Sequence, residues 1–402
     1  MPTDLATVPR TPVPLRWPAD PAQGGWYTEA EHETVRAVLA ESSDWRVGWK
    51  NSHYVAAFEE AFAAYTAAGS AVAFNSGGTA LEMVLRHLGL GPGDEVISCA
   101  VQFVGPLLAV INQGGKVVLA EPDPTTLNLD PADAERVITS RTRAIIVTHW
   151  NGAVADIRPF VALANRHAHP VYGPPAVIVD AARACGGRAP SGARVGAEGW
   201  ATVFSFESKK LMTTFGQGGM VTTNDASLAE RLRWLRTYGG TEHWGTNQMM
   251  TKVQAAVGLV QLERLDEMNA ARIARAIERT RRLADMAELT QPPVLNQHQH
   301  LYYRHALMVP PSWAGEGRDR LMDLLASRYG LGSIISDRPA YQFHRLVRRH
   351  TAGQRCPRAD ALTSRLLCPC LHPQISGAEE AQIIHAIRRA TAEVARAYPT
   401  SD

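Results

Sequence analysis

Four short apolar runs decide the fold of this chain: DEVISC (94–99), KVVLAEPD (116–123), RAIIVTH (143–149) and AVIVDAA (176–182). They are rich in the β-branched residues that favour strands, and segments with helical spacing separate them. Strands that alternate with helices are typical of β–α–β crossovers, which place the strands side by side in one sheet. The sequence therefore predicts an α/β fold with a mostly parallel sheet.

The alternation extends in both directions from these runs. Helical spacing occurs at 31–39, at 55–65 and in SGGTALEMVLRHLGL (76–90), where a glycine turn leads into the helix. Two more strand-like runs, ATVFSF (201–206) and GGMVTTN (218–224), bracket a polar turn. The spacing from Lys252 to Glu288 predicts a long helical stretch with a break somewhere within it.

The pattern changes after about Gln291. HLYYRHALMV (300–309) and LLCPCL (366–371) are typical of strands, whereas 318–330 and 378–398 have helical spacing. Strands and helices that alternate less strictly indicate a separate α+β module. We therefore expect an N-terminal arm (1–24), a large domain (25–288) and a small C-terminal α+β domain (289–402).

Composition narrows the class of protein. The chain has 402 residues, of which 45% are apolar and 20% charged, and its formal net charge is +2. So small a charge argues against nucleic-acid binding, and no apolar stretch of about 18 residues could span a membrane. The proline-rich N-terminus lacks the apolar core of a secretory signal.

The five unevenly spaced cysteines fit a reducing cytoplasm. Only one residue separates Cys368 from Cys370, which is too few for a usual metal site.

The turn in SFESKKLMTTFGQGGM (205–220) contains two adjacent lysines just past a strand. An amine on such a turn can form an imine with a carbonyl if burial or a neighbouring charge keeps it from staying protonated. Side chains of adjacent strand residues leave on opposite faces, so only one of Lys209 and Lys210 is expected to point into a site. The alternative is a solvated loop lysine.

A second segment is suited to an anion. Gly77, Gly78 and Thr79 open a helix, so their backbone N–H groups and the helix dipole would attract a phosphate. The alternative is an ordinary helix start with Ser76 as its N-cap. The spacing matches neither a Walker loop nor a dinucleotide fingerprint.

Three single residues have two interpretations each. Asp180 ends a buried strand, where a carboxylate needs a cationic partner such as a protonated pyridine nitrogen. The alternative is that Asp180 caps the next helix. Phe103 could lie flat against a planar ring or belong to the core. Asn247, taken alone, would be an N-cap.

Taken in order, these segments resemble the sugar aminotransferases of the DegT/DnrJ/EryC1/StrS family, which are fold-type I enzymes that use pyridoxal 5′-phosphate. The resemblance covers nearly the whole chain, from GGWYTEAEHETVRAVLAES (24–42) to CPCLHPQIS (368–376). It implies a large domain with a mostly parallel, mixed, seven-stranded sheet flanked by helices, and a smaller C-terminal α+β domain.

The resemblance also implies roles for residues. Lys210 matches the lysine that binds the cofactor, because it is the fifth residue after Ser205, and this decides against Lys209. Ser205 and the turn 77–79 match the phosphate contacts. Phe103 would stack on the pyridine ring and Asp180 would pair with its nitrogen.

Asn247 resembles the asparagine that reaches the phosphate of a neighbouring subunit, which implies a homodimer with a shared active site. Two departures bear on specificity. Arg183 stands where the family usually has a glutamine near the phenolic oxygen of the cofactor. Gln217 stands where a glutamate is usual. Arg183 would stabilise the phenolate or add a carboxylate contact.

The implied reaction moves an amino group from glutamate or glutamine to a keto-sugar or keto-cyclitol. Phe215, an apparent insertion, favours the cyclitol and antibiotic-biosynthesis side of the family. Arg304 is a candidate substrate contact or an exposed strand residue. The alternatives are a relative that dehydrates rather than transaminates, a pyridoxal-phosphate enzyme for amino acids, and a non-catalytic member. Lys210 argues against the first and the last of these alternatives.

Overall fold

A computed structural model describes residues 15–49, 53–292 and 299–399. Residues 1–14 of the predicted arm lie outside the described residues. Two helices precede the sheet, α1 (Glu29–Ser42) and α2 (His53–Thr66), where helical spacing predicted them. Glu31 caps the first turn of α1, since its carboxylate accepts hydrogen bonds from the amide and the hydroxyl of Thr28 at 2.7 and 2.6 Å.

The central sheet confirms the predicted architecture. Its strands are β1 (Ser70–Phe74), β2 (Glu95–Cys99), β3 (Lys116–Ala120), β4 (Thr142–Thr148), β5 (Ala176–Asp180), β6 (Ala201–Ser205) and β7 (Gly219–Thr223). They lie in the order β1-β7-β6-β5-β4-β2-β3, and β7 is antiparallel to both of its neighbours. The other strand pairs are parallel, so the sheet is seven-stranded, mixed and mostly parallel.

Helices cover the sheet and bury its apolar side chains. They are α3 (Gly77–Leu88), α4 (Gly105–Asn112), α5 (Pro131–Val137), α6 (Arg158–Arg166), α7 (Ala226–Leu235) and α8 (Lys252–Arg282). Phe58 and Phe62 of α2 pack against Phe204 and Phe206, with ring centroids 4.9–5.6 Å apart. These aromatic contacts fix α2 against the end of β6.

The predicted break in the long helix is wrong. Helix α8 runs without interruption for 31 residues and ends at Arg282, before the predicted end of the stretch. Thr251 and Gln254 form a capping box at its start. Gly258, which could have weakened the helix, packs closely on the Phe58 ring, where an added Cβ would lie 2.7 Å from the ring.

The C-terminal part contains β8 (Leu307–Met308), α9 (Glu316–Tyr329), β9 (Ser333–Ile334), α10 (Ala340–Phe343), α11 (Arg345–His350), α12 (Pro357–Arg365), β10 (Leu366–Pro369) and α13 (Gly377–Ala397). Strand β10 lies between β8 and β9 in an antiparallel sheet. The predicted strand at 300–309 is reduced to two residues, and Tyr302 adopts a positive φ of 48°. Tyr303 and Leu366 pack in the core of the large sheet, and the division at residue 289 stays a prediction.

The segment before α1 is attached to the C-terminal part. Trp17 donates its backbone N–H to the carbonyl of Gly330 (3.0 Å), and its own carbonyl accepts from Gly332 (2.8 Å). Gln23 donates to the carbonyl of Leu371 at 2.6 Å. These contacts bring Asp20 to the site described below.

None of the helices among the described residues combines the length and the apolar character that a membrane crossing requires. The same residues contain no group of three or more histidine, cysteine, aspartate or glutamate side chains arranged to hold a metal ion. All five cysteines are buried thiols.

Candidate active site

A cavity of about 680 Å³ opens at the carboxyl edge of the parallel strands. This edge is where open α/β sheets bind ligands, because the loops that follow the strands meet there. The cavity is lined by Asp20, Ser76, Gly77, Gly78, Phe103, Arg183, Ser205, Glu207, Lys209, Lys210, Gln217, Tyr303, Arg304, Ile334, Ile335, Asp337, Arg338 and Phe343. Six of the nine residues predicted to contact a cofactor are therefore together: Gly77, Gly78, Phe103, Arg183, Ser205 and Lys210.

Lys210 lies in the turn after β6, partly buried. Burial and, to a smaller extent, the positive charge of Arg183 lower its pKa to about 8, against the opposing effect of Asp180. A lysine with such a pKa is neutral in a substantial fraction of molecules near neutral pH and can attack a carbonyl.

Lys209 also lines the cavity, so the expectation that only one of the two lysines points into the site is wrong. The reason is that residues 208–212 form turns and bends rather than a strand, and the alternation of faces does not apply. Lys209 is exposed and forms an ion pair with Asp20 at 2.7 Å, and this hydrogen bond raises its pKa. Of the two amines, Lys210 is the better nucleophile.

The start of α3 provides the anion-binding end of the cavity. Ser76 is the N-cap, and its hydroxyl accepts the Thr79 amide at 3.1 Å. The Thr79 amide is thus hydrogen-bonded already, and Gly77 and Gly78 line the cavity. A Cβ on Gly77 would lie 2.9 Å from Cβ of Ser205, so glycine is what allows the helix to start against β6. The partial positive charge of a helix start beside a hydroxyl suits a phosphate.

Asp180 ends β5, is buried, and is not among the residues that line the cavity. Turns rather than a helix follow it, so the helix-capping alternative is wrong. Its carboxylate accepts the Ala182 amide at 3.0 Å. Burial raises the pKa of Asp180, and the charges of Lys210 and Arg183 counteract part of this. A cation placed against it would restore the ionised form.

Phe103 and Asn247 differ from the alternatives that their sequence context allowed. Phe103 is 58% exposed and lines the cavity, so it is not a core residue. Thr251 caps α8, so Asn247 is not its N-cap. Asn247 is exposed and lies outside the lining of the cavity.

Arg183 forms an ion pair that the sequence did not predict. Its two terminal nitrogens donate to the two carboxylate oxygens of Asp337, with Nη2–Oδ1 at 2.9 Å. The side chains are 7% and 6% exposed. Burial alone would raise the pKa of Asp337, but the charge and hydrogen bonds of Arg183 hold it below its usual value. The guanidinium is thus fixed by a buried carboxylate.

A second charged group lies across the cavity. Arg304 donates to Asp20 at 2.6 Å and to the hydroxyl of Ser336 at 2.9 Å, and Asp20 also pairs with Lys209. Arg304 therefore lines the cavity as a largely buried, paired side chain, so the exposed-strand alternative is wrong, and its contact with a substrate stays a prediction. Sequence reasoning missed Asp20, Glu207, Tyr303, Asp337 and Arg338; Glu207 lies in the turn that contains the two lysines, and the other four lie in no motif.

A lysine of lowered pKa at the carboxyl edge of a mostly parallel seven-stranded sheet is the arrangement expected of a fold-type I enzyme that uses pyridoxal 5′-phosphate. The chain belongs to the DegT/DnrJ/EryC1/StrS aminotransferase family, whose profile matches residues 27–388. The class inferred from the sequence is confirmed.

Relatives and solved structures agree with this assignment. GDP-perosamine synthase of Caulobacter vibrioides is 37% identical over 297 residues, which are 72% of this chain and 76% of that protein. L-glutamine:scyllo-inosose aminotransferase of Streptomyces griseus is 36% identical over 304 residues, or 71% and 70% of the two chains. The structure of S. venezuelae DesV in complex with a ketimine intermediate is similar at 31% identity with a TM-score of 0.81, over 92% of this chain and 95% of DesV.

Proposed function

We propose that this protein uses pyridoxal 5′-phosphate, held covalently by Lys210, to move an amino group from glutamate or glutamine to a keto-sugar or keto-cyclitol. The observation that carries the proposal is Lys210 itself: a lysine with a pKa of about 8 in a cavity that also contains a helix start and a hydroxyl. The two relatives are named for a sugar product and for a cyclitol substrate, which supports both acceptor classes. Phe215, and the cyclitol-specific relative, favour the secondary-metabolite side.

The residues present fit this cofactor. Gly77, Gly78 and Ser205 would hold the phosphate, because they combine backbone N–H groups of a helix start with a hydroxyl. Asp180 would pair with the ring nitrogen, since a buried carboxylate with a raised pKa gains from a cation. Phe103, which is exposed in the cavity, would cover one face of the ring. When bound, the cofactor supplies an electron sink.

Lys210 has a second task in this proposal. When not bound to the cofactor, its Nζ would accept a proton from the substrate and return it, as general base and then general acid. A pKa of about 8 suits both roles near neutral pH, because neither form of the amine is rare there. Tyr303, whose ring centroid lies 5.5 Å from Nζ, limits the positions that the amine can take.

The test is an absorbance spectrum of the purified protein before and after borohydride, with Lys210→Ala alongside. We expect a band near the visible edge that borohydride bleaches in the unmodified protein and that Lys210→Ala lacks. Loss of the band on adding glutamate or glutamine identifies the donor. A band that no amino donor changes would favour non-transaminating chemistry, and no band after added pyridoxal phosphate would contradict the proposal.

We also propose that the enzyme is a homodimer in which Asn247 completes the site of the partner subunit. Asn247 is exposed and outside the cavity of its own chain, and two aromatic residues of the cavity, Phe103 and Phe343, are more than half exposed. The test mixes inactive Lys210→Ala with Asn247→Ala subunits after mild dissociation. If Asn247 acts across the interface, each mixed dimer contains one intact site and activity returns. If it acts within its own chain, no intact site forms and activity stays absent.

A further inference from the structure

The ion pair between Arg183 and Asp337 joins two distant parts of the chain across the cavity. Arg183 follows β5, whereas Asp337 follows β9 in the C-terminal part. The two side chains meet as a fork, with both terminal nitrogens of the guanidinium on both carboxylate oxygens. This geometry fixes the plane of the guanidinium as well as its position.

Asp337 is itself held in place. The hydroxyl of its neighbour Ser336 donates to Asn151 at 2.8 Å and accepts from Arg304 at 2.9 Å. Asp337 has a positive φ of 56°, which an aspartate adopts only when its surroundings require it. The carboxylate is therefore a rigid anchor for the guanidinium, rather than a mobile surface partner.

The guanidinium and the reactive amine share an aromatic neighbour. The carbon Cζ of Arg183 lies 5.1 Å from the centre of the Tyr303 ring, and Nζ of Lys210 lies 5.5 Å from the same point. The other charged groups that act on Lys210 are Asp180, Glu207 and Asp337. Among the charged groups that act most strongly on Lys210, Arg183 is thus the cation and the other three are carboxylates.

We propose that Asp337 is a positioning residue that acts through Arg183, by holding the guanidinium where its charge bears on Lys210 and on the reacting end of the cavity. The role in the reaction rests on the proposed function, but the effect on Lys210 does not. Without Asp337 the guanidinium would turn away toward solvent, and the amine would lose its neighbouring cation. Burial is the main cause of the lowered pKa of Lys210, and the charge of Arg183 lowers it as well.

Two single variants test the inference by the direction in which the pH midpoint of Lys210 moves. Arg183→Gln removes the cation and should raise the pH midpoint of Lys210 by on the order of one unit. Asp337→Asn removes a negative charge, which by direct electrostatics would lower that midpoint. If Asp337 acts by positioning Arg183, the midpoint instead rises, in the same direction as in Arg183→Gln.

The readout is competitive acetylation of cofactor-free protein across pH, quantified by mass spectrometry at Lys210. Lys209 lies in the same peptide and serves as an internal standard. Asp156→Asn is the matched control, because it breaks an exposed pair with Arg158 and should leave the Lys210 midpoint unchanged.

The double variant Arg183→Gln/Asp337→Asn completes a double-mutant cycle. It replaces the ion pair by two amides that can still hydrogen-bond. In the Arg183→Gln background, Asp337→Asn should lose its upward effect, since the residue through which it acts is gone. An Asp337→Asn midpoint that falls or does not move, or that still rises without Arg183, overturns the inference. If the protein binds no pyridoxal phosphate but shows the expected acetylation shifts, the proposed function is contradicted and this inference is still supported.

Discussion

Arg279 of α8 and Glu380 of α13 form an ion pair that is fully buried. Nε and Nη2 of the arginine donate to the two carboxylate oxygens at 2.7 and 2.8 Å, and both side chains are 0% exposed. Nη1 of the same arginine donates to the carbonyl of Cys370 at 2.8 Å. The pair therefore ties the helix that starts beside the active site to the last helix of the chain.

Breaking this pair on one side should destabilise the protein strongly. Glu380→Gln leaves the Arg279 charge buried without its counter-charge, which costs roughly 3–5 kcal/mol of unfolding free energy. Replacing both residues by apolar ones of similar size, as in Arg279→Met/Glu380→Leu, should cost much less, because it removes the desolvation penalty of both charges. Urea denaturation measures both, and a Glu380→Gln protein as stable as the original would contradict the reasoning.

Gly77 and Gly78 should differ sharply in their tolerance of alanine. A Cβ on Gly77 meets backbone and Cβ atoms of β6 at 2.9–3.0 Å, so Gly77→Ala should cost about 1–3 kcal/mol and displace the start of α3. Gly78 has only the Ser76 hydroxyl near, at 3.8 Å, so Gly78→Ala should be neutral or stabilise by up to about 1 kcal/mol. Thermal unfolding of the two variants decides this, and equal losses would refute it.

Asp180 should make the cofactor-free protein less stable above mildly acidic pH. Its pKa is raised by burial in the folded state, so folding works against ionisation of this carboxyl once the pH exceeds the unfolded value. The penalty on stability is therefore full above the folded pKa and is relieved as the pH falls through the folded pKa toward the unfolded value. Asp180→Asn should raise the melting temperature of cofactor-free protein near pH 7 and remove this part of the pH dependence.

The same variant should reduce the stabilisation that pyridoxal phosphate confers, because the ring nitrogen loses its anionic partner. Measuring melting temperature with and without the cofactor, at two pH values, gives both effects in one experiment. An Asp180→Asn protein that gains as much from the cofactor as the original would argue against an ion pair at this position.

Attachment of pyridoxal phosphate should follow the titration of Lys210. Only the neutral amine attacks an aldehyde, so the rate should rise about tenfold per pH unit below pH 8 and level off above it, given a pKa of about 8. An ordinary lysine would show a rise that continues toward pH 10. Stopped-flow absorbance across this range separates the two cases, and a plateau only near pH 10 would show that burial does not act on Lys210 as described.

The fold was largely predictable because its strands are short, apolar and regularly spaced along the chain. The boundaries that failed depended on tertiary contacts. Gly258 does not break α8, because the Phe58 ring packs on it. Residues around Tyr303 do not pair as a strand, because they pack on the core of the large sheet instead. Neither contact has a periodic signal in the sequence.

The candidate site was predictable where residues follow one another in a motif, as around Lys210 and Gly77. Asp337 lies 154 positions from Arg183, and Asp20 lies 284 positions from Arg304. Single acidic residues at such separations cannot be paired by spacing, since any of many carboxylates could have been the partner. The adjacent lysines show a related limit, because the turn that holds them brings both into the cavity.

The segment that contains Asp20 has a consequence for how this enzyme is made. Gln23 is bonded to the carbonyl of Leu371, 348 positions later, and Trp17 pairs with residues 330 and 332. During synthesis on the ribosome, residues 17–23 must wait for residues 330–371 before they find their partners. The wall of the active site that Asp20 forms is therefore completed only after residue 371 has been synthesised and is free to fold.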